Sequence, residues 1–329
     1  MHIVPVMPDF NQQKRMTAVI ILNWNGADDT IMCLDSLSHA DGSFFIVIAD
    51  NGSTDNSVQR LKSYISQSGL DITLLEHNNN FGFAKGNNLA ISYASKRRPD
   101  SYLLLNNDTE VTSDFLVKLV DFQSSNPRFR ILTPRINFFY KKNIIWNCGG
   151  VLRLGFRKYR FAGCEEKKAT RRKYFPISFI TGCALFFMPD VLEPDGTLFT
   201  ERFFFGEEDF EFSIRMKRRH YKMACVTDSV IYHKVMASSE GKSVGKFYLH
   251  LLNRYVDVRL QYGKLFFFIW RIVNKPISFC HLKKIYGSAG QALQKLRHLE
   301  KDCLCRDKVT YEDFRRLVIS DDFFDESND

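Results

Sequence analysis

The residues best suited to chemistry in this sequence form an acidic cluster in the stretch FGEEDFEF, at residues 205–212. The four acids are Glu207, Glu208, Asp209 and Glu211, and phenylalanines lie on both sides of them. Like charges crowded against apolar rings raise the pKa of at least one carboxyl group, which is what a general base requires. The alternative is a solvated helix N-terminus that is rich in acids.

A second group of polar side chains ends the apolar run LLLNND, at residues 103–108. A carboxylate such as Asp108 at the end of a strand can hold a divalent cation that bridges the two phosphates of a nucleoside diphosphate. Alternatively, Asp108 caps a helix that begins near Thr112. His233 closes the strand-like run VIYHK, and an isolated histidine in such a place is more often a packing residue than a ligand.

Two further stretches contain residues that suit a nucleotide. DNGSTDNS begins at Asp50, where a carboxylate can accept the imide N–H of a uracil or thymine ring, although the same pattern fits an ordinary turn. NFGFAKGNN supplies Gly82 and Gly86 for a close approach of the backbone, with Lys85 as a cation for phosphate. This loop is not GxGxxG, and GxxxxGK(S/T) is absent, so dinucleotide and P-loop sites lose support.

The elements that must position these residues follow from the hydrophobic pattern of residues 18–108. Apolar runs AVIILNW, FFIVIAD, DITLLE and SYLLLNND alternate with the helical stretches DDTIMCLDSLSHA, SVQRLKSYISQ and AKGNNLAISYASK. This alternation predicts an α/β fold with a parallel sheet that helices cover on both faces. The polar residues then converge at the carboxyl ends of four strands, where such sheets bind ligands.

Composition narrows the class of protein. A chain of 329 residues with 45% hydrophobic content can bury a substantial core. The 46 Lys and Arg exceed the 37 Asp and Glu, which suits a phosphate-rich ligand, an anionic membrane or nucleic acid. No recognised nucleic-acid motif accompanies this charge, so we expect no nucleic-acid partner. No apolar run reaches the roughly 20 residues that span a bilayer, and the first 15 residues do not resemble a signal peptide, so we expect a cytoplasmic protein.

After Pro134 the alternation weakens, and two basic segments stand out. Residues 157–173 hold eight Lys or Arg residues, as expected either of a solvated loop or of a loop that meets phosphate. Residues 246–297 have a helical pattern with ten Lys or Arg residues and one acid. They fit a helix at an anionic membrane surface or, alternatively, a packing or dimer interface. The aromatic residues of this segment's run FFFIW are Phe266, Phe267, Phe268 and Trp270.

Together these stretches resemble the family 2 glycosyltransferases of the GT-A fold, in particular the rhamnosyltransferase-like branch that builds bacterial surface polysaccharides. The resemblance covers residues 18–234. It implies a metal-dependent, inverting glycosyltransferase in which Asp209 is the catalytic base with Glu208 beside it, and in which Asp108 and His233 hold Mg²⁺ or Mn²⁺. It also implies that the strand ends bind the nucleotide sugar, through Asn23, Trp24, Asn25, Asp50, Asn51, Ser53, Gly82, Lys85, Asn87, Asn106 and Asn107.

One position departs from the family pattern. Asn106 stands where the family's DxD element has its first acid. An amide keeps an oxygen but lacks the charge, which predicts weaker metal binding or a contact of Asn106 with the ribose or sugar instead.

The expected organisation is an N-terminal lead (1–16), a GT-A domain (17–245), a helical extension (246–320) and an acidic tail (321–329). Residues 17–134 are expected to bind the nucleotide sugar, and residues 135–245 the acceptor. The expected reaction moves a sugar from dTDP-rhamnose or a UDP-sugar to a hydroxyl of a lipid-linked glycan, at the inner face of the membrane. A sugar-phosphate nucleotidyltransferase and a non-catalytic nucleotide-sugar-binding module are the alternatives. NWNGADDT replaces the glycine-rich opening of the nucleotidyltransferases.

Overall fold

The structure, a computed structural model, describes residues 15–235 and 244–319. Most of the expected N-terminal lead and the whole acidic tail lie outside the described residues. The first half of the fold is a parallel sheet in the order β3-β2-β1-β4. Its strands are β1 (Met16–Asn23), β2 (Ser43–Asp50), β3 (Ile72–Glu76) and β4 (Ser101–Asn106), and its connecting helices are α1 (Ala27–Ser38), α2 (Ser57–Gln67) and α3 (Gly82–Ser95).

The central strands are apolar along their whole length because both faces of the sheet are covered. Ile20 packs in one hydrophobic cluster with Ala90 of α3, while its neighbour Ile21 packs in a second cluster with Leu34 of α1. Successive residues of a strand point to opposite faces, so a strand covered on both sides needs an unbroken apolar run. The expected α/β architecture with helices on both faces is confirmed.

The prediction of a parallel sheet, made for residues 18–108, is correct for β1 to β4. The second half of the sheet is mixed. β11 runs antiparallel to both β4 and β6, and β12 runs parallel to β6 but antiparallel to β10. The described connection between β6 and β11 contains no α-helix that would carry the chain back across the sheet for a parallel return. The strands are β5 (Thr109–Val111), β6 (Phe129–Phe138), β7 (Ile145–Asn147), β8 (Gly150–Arg153), β9 (Phe156–Tyr159), β10 (Tyr174–Ile177), β11 (Ala184–Phe187) and β12 (Lys222–His233), with helices α4 (Phe115–Ser125) and α5 (Glu208–Arg218).

Residues 244–319 form helices that pack on the second half of the sheet domain. A third hydrophobic cluster joins Leu252 and Tyr255 of this extension to Leu152 of β8 and Phe210 of α5. The extension therefore shares a core with the hairpin formed by β8 and β9, and with the helix that carries the acidic cluster. Its helices are α6 (Val244–Tyr262), α7 (Lys264–Tyr286), α8 (Ala289–Cys305) and α9 (Tyr311–Phe314).

The aromatic run of α7 divides between the interior and the surface. Phe267 and Trp270 are each 4% exposed and belong to the third cluster, whereas Phe268 is 53% exposed. The interpretation of the whole run as a membrane surface is therefore wrong for Phe267 and Trp270, because their spacing places them on the face of α7 that packs against α6. No helix within the two described ranges is both long and apolar enough to cross a bilayer.

Candidate active site

The ends of β1 and β2 are joined by buried polar side chains. Asn23 lies opposite Asp50 in the register of the two strands, and its Nδ2 donates a hydrogen bond of 2.7 Å to Asp50 Oδ1. The Oδ1 of Asn23 accepts a hydrogen bond of 2.8 Å from the Thr30 hydroxyl. Both ends of the Asn23 amide are thus used within the protein, so Asn23 positions the carboxylate of Asp50.

The carboxylate of Asp50 also holds the turn that follows β2. Its Oδ1 accepts 2.6 Å from the Ser53 hydroxyl, and its Oδ2 accepts 2.9 Å from the Ser53 backbone N–H. Gly52 has a φ of +71°, and a Cβ there would lie 2.5 Å from the backbone of Asn79, so only glycine fits. The turn reading of DNGSTDNS is therefore correct, and Oδ2 retains one lone pair that accepts no other hydrogen bond from the described residues.

The residues after β1 reach the surface beside this turn. The Oδ1 of Asn25 accepts 2.8 Å from the Thr54 N–H, and the Asn25 N–H donates 2.8 Å to the Ser53 hydroxyl. The Trp24 ring is 44% exposed. A half-exposed aromatic ring at a strand end has a free face for stacking on a planar ligand.

The polar side chains around the start of α3 form hydrogen bonds mainly with other groups of the protein. Asn51 Nδ2 donates 2.8 Å to Asn80 Oδ1 and 3.1 Å to the Gly82 carbonyl. A Cβ on Gly82 would lie 2.2 Å from the Phe204 carbonyl oxygen, so the close approach expected for this glycine is to Phe204. Asn87 is buried, and its Nδ2 donates 2.8 Å to the carbonyl of Phe83 one turn earlier.

Lys85 lies on the side of α3 that faces the C-terminal extension. Its Nζ is 4.8 Å from the centre of the Phe81 ring. Together with Arg202 and Lys308 it lines a cleft of about 170 Å³. The three cations favour an anionic group in this cleft.

The end of β4 brings Asp108 to His233. Because β5 pairs with β12, Thr109 lies opposite His233, and Asp108 Oδ1 is 3.0 Å from His233 Nε2. Both side chains are largely buried. Burial disfavours protonation of His233, but Cys183 and Asp108 outweigh it and raise the pKa of His233 to about 10.

The separation of Asp108 and His233 suits two ligands of one divalent cation. Neighbouring ligands of an octahedral ion at about 2.1 Å are about 3.0 Å apart, which matches the separation of Asp108 Oδ1 and His233 Nε2. Without an ion, protonated His233 Nε2 pairs with the buried Oδ1 of Asp108, and a bound cation would replace the proton between these two atoms. The described residues hold no cluster of three or more metal-ligating side chains, so phosphate or water would supply the remaining ligands. The residues fit an ion held jointly with a diphosphate.

The two asparagines before Asp108 differ in their surroundings. Asn107 Nδ2 donates 3.0 Å to the Thr30 hydroxyl and 3.3 Å to the Gly26 carbonyl, which ties β4 to the start of α1. Backbone contacts hold Asn106: its N–H donates 2.8 Å to the Cys183 carbonyl. Its side chain is partly exposed and makes no hydrogen bond to another described residue.

The acidic cluster lies at the N-terminus of α5 and is largely paired with arginines. Glu207 has a φ of +73°, and its buried carboxylate lies 2.5 Å from Arg254 Nε and 3.7 Å from Arg157 Nη2. Although burial alone would raise its pKa, these arginines bring the pKa of Glu207 below its usual value. Glu208 accepts 2.8 Å from the Gly206 N–H. Burial raises the pKa of Glu208 to about 8.

Asp209 differs from the other acids of the cluster in its access to solvent. Its side chain is 23% exposed, against 3% for Glu207 and 4% for Glu211. Arg157 Nη1 is 3.7 Å from Asp209 Oδ1. Burial raises the pKa of Asp209 and Arg157 lowers it, with a net value of about 6. Asp209 is therefore ionised at neutral pH yet basic enough to accept a proton.

Comparison with known proteins gives the family. Residues 18–194, more than half of the chain, match the family described as Glycosyl transferase family 2. The chain belongs to glycosyltransferase family 2. This membership confirms the resemblance to the family 2 glycosyltransferases and leaves the rhamnosyltransferase-like branch a prediction; the protein is a glycosyltransferase.

One relative and two solved structures are similar to this family 2 glycosyltransferase. The low-salt glycan biosynthesis hexosyltransferase Agl10 of Haloferax volcanii is 25% identical over 274 residues, which cover 78% of this chain and 83% of Agl10. The mannosyltransferase PcManGT from Pyrobaculum calidifontis, in complex with GDP-Man and Mn²⁺, matches with a TM-score of 0.56 and 17% identity, over 92% of this chain and 79% of that one. TarS 1–349 of S. aureus matches with a TM-score of 0.50 and 16% identity, over 74% of this chain and 65% of that one.

These similarities show the GT-A fold. The chain spans slightly less than two thirds of the TarS fragment.

Sequence reasoning missed three residues of this glycosyltransferase that organise the site. Thr30 links Asn23 and Asn107. It lies inside a helix, and nothing in the neighbouring sequence distinguishes it from an ordinary threonine. Arg157 and Arg254 meet the acidic cluster from positions about 50 residues away on either side. No local signal could have found the arginines, because their contacts depend on the packing of distant elements.

Proposed function

We propose that this glycosyltransferase transfers a hexose from a nucleoside-diphosphate sugar to a hydroxyl of a glycan acceptor, with inversion at the anomeric carbon. The observation that carries the proposal is the partly exposed Asp209 carboxylate within an otherwise buried acidic cluster. The similarity to a hexosyltransferase of glycan biosynthesis supports the sugar class and the pathway. Residues 17–134 bind the donor in this proposal, and residues 135–245 bind the acceptor.

The reaction needs one general base. Asp209 takes the proton of the acceptor hydroxyl while that oxygen forms a bond to the anomeric carbon. The bond from that carbon to the diphosphate breaks on the opposite face, and the nucleoside diphosphate leaves with the electron pair. Glu207 and Glu211 are buried in ion pairs of 2.5 Å and 3.1 Å with arginines, closer than the 3.7 Å between Asp209 and Arg157. Burial keeps Glu208 mostly protonated at pH 7, so Asp209 is the carboxylate that meets the acceptor.

The donor is held at the carboxyl ends of β1, β2 and β4. Trp24 stacks on the base, and the free lone pair of Asp50 Oδ2 accepts its imide N–H, so dTDP-rhamnose and UDP-sugars suit the site. Asn106 contacts the ribose or the sugar. The acceptor in this proposal is a lipid-linked glycan at the inner face of the membrane.

Asp108 and His233 would hold Mg²⁺ or Mn²⁺. A bound ion would supply charge that stabilises the leaving diphosphate. The similar structure that contains GDP-Man and Mn²⁺ supports a divalent ion in this fold. Lys85, Arg202 and Lys308 add positive charge on the side of α3 that faces the extension.

The preference for a nucleobase is tested by thermal shift with UDP, dTDP, GDP and CDP, each with and without Mn²⁺. A ligand at 100 times its Kd stabilises the folded state by about 2.7 kcal/mol. UDP and dTDP are expected to raise the Tm more than CDP, because cytosine has no ring N–H to donate to Asp50. GDP, which has a ring N–H on a larger base, tests the size of the pocket. If CDP raised the Tm as much as UDP, Asp50 would not recognise the nucleobase.

Arg157→Ala is expected to move the acidic limb of the pH–rate profile to higher pH. Arg157 lowers the pKa of Asp209, so its removal keeps the base protonated over a wider range. The rate should fall by about three- to tenfold at pH 6 and by less at pH 8. Lys158→Ala is the matched control, since Lys158 lies on the same strand but forms no ion pair with a described residue. A uniform loss across pH would assign Arg157 a purely structural role.

The product distinguishes this proposal from a sugar-phosphate nucleotidyltransferase. A glycosyltransferase releases free nucleoside diphosphate, whereas a nucleotidyltransferase releases pyrophosphate. Nucleotide binding without either product would instead fit a non-catalytic module. The family assignment gives neither alternative support.

A further inference from the structure

Helix α7 exposes a continuous apolar stripe that no described element covers. The large members of the stripe are between 45% and 77% exposed. Their spacing of three and four residues places them on one face of the helix. The opposite face carries Phe267, Trp270 and Leu282, which lie in the third hydrophobic cluster. The stripe comprises Leu265, Phe268, Ile269, Ile272, Val273, Pro276 and Ile277.

The charges around this stripe have a single sign. Residues 264–286 contain no Asp or Glu. Lys264 at the start of α7, and Lys283 and Lys284 near its end, are exposed and make no ion pair with a described residue. Lys275 and Arg271 lie nearer α8 and pair with Glu300. The stripe thus runs between two basic ends.

A second exposed apolar residue lies close to α7. Leu154 forms the tip of the hairpin of β8 and β9, where it is 71% exposed and has a φ of +47°. The tip packs on α7, since a Cβ on the adjacent Gly155 would lie 2.8 Å from the Trp270 indole nitrogen. The Phe156 ring is 5.8 Å from the Trp270 ring. The hairpin tip therefore lies against α7 at Trp270.

This distribution of charge disfavours a second copy of the chain as the occupant. In an antiparallel two-fold pairing centred on Val273, Lys264 of one copy would lie near Lys283 and Lys284 of the other. A parallel pairing would set each lysine against its own equivalent. Both arrangements bring like charges together, which costs free energy. An anionic surface has no such penalty.

We propose that the stripe on α7 docks on an anionic lipid bilayer. The helix lies in the plane of the membrane, with Phe268, Ile269 and Ile272 at the boundary of the acyl chains. Lys264, Lys283 and Lys284 meet the lipid phosphates at its two ends. Burial of apolar area and attraction of the lysines act together, as in other in-plane amphipathic helices.

Docking in this way places the acceptor side of the site close to the lipid. Arg157, which contacts Glu207 and Asp209, follows Leu154 by three residues. Three residues span no more than about 11 Å even when fully extended, so Arg157 lies within about that distance of the hairpin tip. A lipid-linked acceptor would then reach Asp209 without leaving the membrane surface. This consequence rests on the proposed function, whereas the docking does not.

The test is co-sedimentation of the full chain with vesicles of phosphatidylcholine containing phosphatidylglycerol, and with vesicles of phosphatidylcholine alone. Binding is expected to need phosphatidylglycerol and to fall as salt screens the lysines. The double variant Phe268→Ser, Ile272→Ser is expected to bind at least about tenfold more weakly. The matched control is Leu293→Ser, Leu304→Ser, which changes two exposed leucines of α8. A triple Lys264→Gln, Lys283→Gln, Lys284→Gln variant should lose the dependence on phosphatidylglycerol.

Three results would overturn the proposal: no binding of the wild-type chain at low salt, equal binding by the double variant, or an equal loss in the α8 control. A fourth is a wild-type dimer that the double variant converts to a monomer, which would make the stripe a subunit interface. The altered residues are exposed, so the variants are expected to fold, and thermal melting checks this. Nucleotide binding is measured separately by thermal shift. A failure of membrane docking would therefore not count against the proposed sugar transfer.

Discussion

Asp209→Asn is expected to lower the rate of sugar transfer by at least about a hundredfold and to leave donor binding unchanged. The amide has the shape of the carboxylate but cannot accept the proton, and a general base typically contributes 10² to 10⁴ in rate. Transfer is measured as acceptor-dependent release of nucleoside diphosphate. Donor binding is measured by thermal shift. A loss of less than about tenfold would reject Asp209 as the base.

Glu208→Gln is the control for this assignment. Burial raises the pKa of Glu208 to about 8, so its carboxyl group is mostly protonated at pH 7 and the neutral amide replaces it with little change in charge. The rate should therefore stay within about tenfold of wild type. A larger loss in Glu208→Gln than in Asp209→Asn would transfer the role of base to Glu208.

The pH dependence of the wild-type enzyme gives an independent check on the same residue. The base acts when it is deprotonated, so the rate should rise as the pH passes the Asp209 pKa of about 6 and level off above it. A limb near pH 8 would instead indicate Glu208, whose pKa is about 8.

Asp108→Ala is expected to weaken Mn²⁺-dependent binding of the nucleoside diphosphate by about a hundredfold or more, since even indirect support of a metal ligand is worth 10- to 100-fold. Binding of the bare nucleoside should change little, because it has no phosphate to share an ion with the protein. Calorimetry with UDP and with uridine, each with and without Mn²⁺, measures both effects.

Asp29→Asn provides the matched control for Asp108. Asp29 is a nearby acid whose carboxylate pairs with Lys234 at 2.6 Å, next to His233 in the chain. Neutralising it changes the local charge but removes no proposed metal ligand, so the Mn²⁺ dependence should persist. Equal losses for nucleoside and diphosphate in Asp108→Ala would instead show that Asp108 stabilises the turn after β4.

The sequence by itself determined the first half of the sheet, from β1 to β4. Each strand from β1 to β4 and each helix between them depends on residues close in sequence, so a run such as FFIVIAD predicts its strand directly. Parallel strands in one sheet must end at the same edge. The pattern alone therefore placed Asn23 and Asp50 at the same edge, and the structure shows that the two side chains are hydrogen-bonded to each other.

The second half of the sheet depended on packing that the sequence pattern does not contain. β11 enters antiparallel after a long connection without an α-helix, so its direction could not be deduced from periodicity. Residues 157–173 had the composition of a solvated loop, yet Arg157 lies against Glu207 and Asp209. The composition of a segment does not show whether a basic residue in it is solvated or ion-paired, because that depends on where an acidic partner lies in the fold.

Helix α7 shows the same division within one element. Its sequence is apolar on nearly all sides, so periodicity could not separate a buried face from an exposed one. Contact with α6 and the hairpin buries Phe267 and Trp270 and leaves Phe268 in solvent. The sequence determined that the helix is apolar and basic, and the tertiary structure decided which face is available, because burial depends on what the neighbouring elements cover.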